Sequence, residues 1–164
     1  MLEVLLDMES RLPALLAEKS AWKSVFVDYH PPFVERLWRQ VGDYRLYLHR
    51  IYPCEKAQAL FHPHPWPSAM RILEGRYEMA VGYGQGMSEP PVAATVVMAQ
   101  GSSYEMVDPD GWHSVRPLDG PTLSLMVTGM PWARPSHKSD KVLHALSAPA
   151  EEALWKSVER AYCV

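Results

Sequence analysis

The chain has 164 residues, 48% of them hydrophobic and 21% charged, which suits one soluble domain with a full core. A formal net charge of −3 with no basic run gives no electrostatic footprint for nucleic acid or an anionic membrane, and no apolar run reaches the roughly 20 residues that cross a bilayer. Two cysteines, Cys54 and Cys163, with no C-x-x-C pair exclude a disulfide framework and a thiolate zinc site, and a reducing cytoplasm is the expected compartment.

The first segment, Met1 to about Ala21, carries Leu2, Leu5, Leu6, Leu12, Leu15 and Leu16 near helical spacing. It reads as an amphipathic helix packed outside the main body, with a kink or break at Pro13. Glu3, Asp7 and Glu9 among its leucines are unlike a basic, then apolar, signal segment. Trp22 to Tyr29 reads as a short edge strand, and Phe33 to Val41 as a helical turn after Pro31-Pro32. Tyr44 to Tyr52 alternates as a strand, with Leu46, Leu48 and Arg50 on one face and Arg45, Tyr47, His49 and Ile51 on the other.

Ala59 to Phe61 leads into His62-Pro63-His64, and Met70 to Leu73 continues as a strand to a turn at Glu74-Gly75. Arg76 to Tyr83, Val92 to Ala99, Tyr104 to Val107, Trp112 to Arg116 and Thr122 to Val127 supply further strands. Gly82, Gly84, Gly86 and Glu89-Pro90-Pro91 mark a hairpin loop rather than a dinucleotide loop, since strands rather than a helix follow. A polar stretch to about Asp140 precedes a short helix over Pro149 to Ala161. About eight short strands between two helices favour an all-β barrel or sandwich, organised as a helical extension (1–43), a barrel core (44–130) and a tail with a helix (131–164) within one domain.

Chemistry concentrates at three histidines. His62 and His64 stand one residue apart and so share a strand face, and His113 lies on a later strand. Neutral imidazole is a good ligand for a divalent metal, and three of them leave coordination positions open to substrate. His49 is a weaker candidate for the same cavity, whereas His30, His137 and His144 are expected in solvent. Ser68 and either Arg50 or Arg71 are expected to line the pocket and bind an anionic substrate; which arginine depends on which strand face points inward.

These residues resemble the cupin family. Its first motif, a His-x-His usually followed by Glu and ending at Gly, is matched by His62, His64 and Gly75, with Ser68 about where the Glu would be. Its second is matched by Gly101, Pro109, Gly111 and His113, one residue shorter at the last spacing. The resemblance implies a double-stranded β-helix, or jelly-roll barrel, with the terminal helices outside, and a homodimer. The set of three histidines without Glu is similar to the cysteine dioxygenase-like branch, which implies ferrous iron, with zinc, nickel or manganese as alternatives. It also implies dioxygenase chemistry on a small anionic substrate such as a thiol or enolate. In that branch Ser, His and Tyr alternate on the last strand; here Ser124 is followed by Met126 and Thr128, which argues against cysteine itself. The alternative is a non-catalytic cupin that binds a small ligand or a metal; a sugar isomerase is disfavoured because no His-carboxylate pair is seen.

Overall fold

A computed structural model describes residues 1–86, 88–133 and 141–162. Helix α1 (Leu2–Ala17) is followed by strands β1 (Lys23–Val27), β2 (Val34–Val41) and β3 (Tyr44–Ile51). Then come β4 (His62–Pro63), β5 (Ser68–Glu74), β6 (Arg76–Tyr83), β7 (Val92–Ala99), β8 (Ser103–Met106), β9 (Gly111–Pro117) and β10 (Thr122–Thr128). Helix α2 (Ala148–Tyr162) closes the chain. The strands make two antiparallel sheets, ordered β1-β2-β3-β10-β5-β8 and β4-β9-β6-β7.

Strand β10 shows why the larger sheet is central. All seven of its residues are buried, because both of its faces are covered. Leu123, Leu125 and Val127 join Leu37, Leu46 and Leu48 beneath the helices, where Leu5, Leu12, Leu154 and Val158 meet them. On the opposite face Met126 packs with Tyr47, Met70, Ile72, Tyr77 and Met79 between the two sheets. The molecule therefore has two apolar layers, one outside the large sheet and one within the barrel.

Helix α1 buries Leu5, Met8, Leu12, Leu15 and Leu16, a stripe at helical spacing. It runs as one helix through Pro13, so the expected break does not occur. The second correction concerns residues 33–41. Val34–Val41 is a strand, not a helical turn, and all eight of its residues pair with β3. Its alternation of Val34, Arg36 and Trp38 against Glu35, Leu37 and Arg39 fits a sheet with a different layer on each side. The large sheet begins at its edge strand β1, Lys23–Val27, within the edge strand expected over Trp22 to Tyr29. Gly75, at φ +81°, makes the tight turn from β5 to β6, a conformation that glycine adopts without steric cost.

Candidate metal centre

The short strand β4 is the edge of the four-stranded sheet, which is where a proline can sit without breaking a ladder. It pairs with β9 so that His62 and His113 are direct cross-strand partners. His64 lies two residues further on, and Pro63 and Pro65 stiffen the backbone on either side of it. The ligand nitrogens of His62, His64 and His113 all lie within 4.8 Å of one another. The Nε2 atoms of His64 and His113 are 2.9 Å apart, and the ring centroids of His62 lie 5.3 Å and 5.1 Å from those of His64 and His113.

Neighbouring groups fix the ring orientations. The Nδ1–H of His62 donates to the Leu60 carbonyl at 3.0 Å, which puts the lone pair of the ring on Nε2. His64 Nδ1 meets the Ser68 hydroxyl at 2.8 Å, and the edge of Trp66 packs on the same ring. His113 Nδ1 is buried and has no hydrogen-bond partner among the described residues. Burial, reinforced by the neighbouring imidazoles, holds the pKa values of His64 and His113 well below the ordinary histidine range. Both rings are therefore neutral at physiological pH, the state in which imidazole binds a metal. Converging ring nitrogens, two of them oriented through their other ring nitrogen, suit a resident divalent ion.

The histidines line a cavity of about 500 Å³. Val34, Trp66, Met70, Val115 and Met126 form its apolar wall, and Arg36 and His49 are its other polar groups on the large sheet. His30 and Tyr29 stand at the rim. A second, shallower depression of about 460 Å³ beside α1 is lined by Glu3, Asp7, Arg11 and Asp43 and holds no imidazole or thiol.

Strand alternation sorts the remaining expected residues. Arg50 faces away from the cavity: it pairs with Glu35 at 2.8 Å and donates to the Ala153 carbonyl and Ser157 hydroxyl of α2. Arg71 also faces outward, to Glu9 of α1 at 3.0 Å. Neither lines the cavity, because their strand neighbours His49, Met70 and Ile72 occupy the inner face. Ser68 is buried and engaged with His64, so it orients an imidazole instead of facing open space. His49 is buried on the cavity wall, and His30 is half-buried at the rim rather than in solvent. His144 is exposed, and His137 lies outside the described residues. Trp112 and Tyr77 are core residues.

Arg36 was missed. Its signal was the period-two pattern of Val34, Arg36 and Trp38, which a helical reading of that segment hides.

No protein-family model and no curated protein matches the chain. Solved structures do match. The chain is 14% identical to Streptomyces albus HEPD, a structure with 2-hydroxyethylphosphonate and Fe(II) bound, over 68% of this chain and 25% of that one, with a TM-score of 0.50. AerE from Microcystis aeruginosa is 19% identical over 77% of this chain and 54% of its own, with a TM-score of 0.49. The hydroxypropylphosphonic acid epoxidase from S. wedmorenis is 12% identical over 64% and 55%, also at 0.49. The chain thus spans about half the length of the epoxidase and a quarter of HEPD. At such identities the likeness concerns the fold. The two sheets, their antiparallel order and the helices outside them are those of a cupin-type jelly roll, as the motifs implied.

Proposed function

We propose that this chain is a metal-dependent cupin enzyme, a mononuclear non-haem iron dioxygenase that acts on a small anionic substrate such as a thiolate or enolate. One observation carries the reading: three imidazole nitrogens converge within 4.8 Å on the wall of a cavity of about 500 Å³. His62, His64 and His113 are the ligands in this reading. A ferrous ion held by these three neutral ligands would keep its full positive charge and would supply Lewis acidity and dioxygen reactivity.

The chain's own residues do the rest. Ser68 and the Leu60 carbonyl hold two rings in the ligating orientation. The apolar wall of Trp66, Met70, Val115 and Met126 keeps bulk water from the reacting groups and strengthens electrostatic attraction within the cavity. Arg36 places a positive charge on the wall, which favours an anion.

The test is metal analysis of protein purified without added metal, followed by oxygen uptake with a panel of thiols and 1,3-dicarbonyl acids. Iron near one equivalent and substrate-dependent oxygen consumption support the reading. Retained metal with no oxygen uptake across the panel returns the chain to the class of non-catalytic binding modules, and a site that refuses every divalent ion overturns the ligand assignment.

A further inference from the structure

Three polar side chains lie in one cross-strand row on the inner face of the large sheet. Arg36 of β2 is the direct partner of His49 of β3, and His49 is the direct partner of Ser124 of β10. Residues directly opposite on antiparallel strands share a face, so the three side chains project together into the barrel. Each has a buried atom with no hydrogen-bond partner among the described residues: Arg36 Nε, His49 Nε2 and Ser124 Oγ. Single unsatisfied groups occur in many proteins, but three consecutive ones in a row, of which Arg36 and His49 line the cavity and Ser124 lies buried behind them, call for a common cause.

The charge at the head of this row is uncompensated. Arg36 makes no ion pair among the described residues, and its guanidinium lies over the Tyr47 ring at 4.9 Å, a contact that leaves the charge in place. Its electrostatic neighbours include Tyr47, Tyr29, Arg45, His49 and His64, none of them a carboxylate. No Asp or Glu is among the described residues that line the cavity. Burial and the adjacent Arg36 keep His49 neutral, so it can donate or accept a hydrogen bond without adding charge. Holding a guanidinium here without a partner is costly, and a bound oxyanion removes that cost by accepting from its planar fork. The next row on the same face is apolar: Tyr47, Met126 and Met70 are partners in register.

We infer that Arg36, His49 and Ser124 form a carboxylate subsite, and that the substrate is an amine-free carboxylic acid whose body is an aryl or branched alkyl group. The carboxylate sits on the polar row; the body lies on Met70, Met126, Val115 and Trp66. An ammonium group finds no acidic partner and meets an existing cation, so α- and β-amino acids are rejected. The inference rests on reading the cavity as the active site and names the substrate class for it.

Calorimetric titration of chelator-treated, metal-free protein tests this without the metal. The probes are 3-phenylpropionate, its neutral amide and 3-amino-3-phenylpropionate. The acid is expected to bind about 10- to 100-fold more tightly than either of the others, the range of one charge-assisted pair. Arg36→Gln removes the preference of acid over amide; Arg36→Lys keeps part of it, and Ser124→Ala weakens the acid more than the amide. Equal affinity for acid and amide in the unmodified protein, or an intact preference in Arg36→Gln, overturns the inference. Should Arg36→Gln fail to fold, Arg36→Lys and Ser124→Ala carry the same comparison. Metal content is measured on separate metal-loaded samples. A protein that binds no metal but prefers the acid refutes the dioxygenase reading and supports the subsite.

Discussion

The Nε2 atoms of His64 and His113 face each other at 2.9 Å across the buried wall of the barrel. Two neutral imidazoles at that distance share one proton between two lone pairs, or point both lone pairs at a common ion. Ser68 and His62 bias the arrangement toward an ion, since Ser68 engages the far nitrogen of His64 and His62 adds a third nitrogen within 4.8 Å. His113→Ala is accordingly expected to lose retained metal while circular dichroism stays close to that of the parent protein. Ser68→Ala is expected to keep the metal with affinity lowered about 10- to 100-fold, the usual effect of removing a group that orients a ligating histidine. Competition with a chromophoric chelator measures both.

Acid stability follows from the same burial. His49, His64 and His113 are held well below the ordinary value of 6.5, with burial as the largest cause. Above that value all three are neutral whether the chain is folded or unfolded, and stability does not depend on them. Below it the unfolded chain takes up protons that the folded one refuses, so stability falls as pH drops. Each imidazole contributes a slope of about 1.4 kcal/mol per pH unit until its folded pKa is reached. Urea denaturation of the metal-free protein from pH 8 to pH 5 is expected to show a plateau above about pH 7 and a decline below about pH 6. A curve that stays level down to pH 5 contradicts the assignment of neutral buried rings.

The two outward arginines are expected to differ in stability but not in binding. Arg50 joins Glu35, which is only 8% exposed, and ties β3 to α2. Arg50→Met strands that carboxylate and is expected to cost about 3–5 kcal/mol. Arg71 and Glu9 are more open to water, and Arg71→Met is expected to cost about 0–1 kcal/mol. Denaturant midpoints give the comparison, and metal content is expected to be unchanged in Arg71→Met.

Gly82 supports the histidine strand from behind. A Cβ there would stand 2.8 Å from the Pro91 carbonyl oxygen and 2.9 Å from Phe61 Cζ, and Phe61 immediately precedes His62. Gly82→Ala must displace the Phe61 ring or the β7 end of the hairpin. We expect a loss of about 1–3 kcal/mol in stability, the usual effect of overpacking, together with weakened metal retention. Paired thermal melts with and without added metal read both effects.

Strand alternation and the spacing of His62, His64, Gly75 and His113 made the jelly roll and the meeting of three imidazoles legible in the chain, because period-two patterning and a His-x-His on one face are local properties. The identity of the inward cation was not local. Both faces of β3 mix polar and apolar groups, Leu46, Leu48 and Arg50 against Tyr47, His49 and Ile51, so its pattern is nearly symmetric. Only the docking of α1 and α2 against the first set broke that symmetry, sending Arg50 to Glu35 and leaving the second set to the cavity. Arg36 followed through its pairing with His49, a long-range register that no local pattern in residues 33–41 reveals.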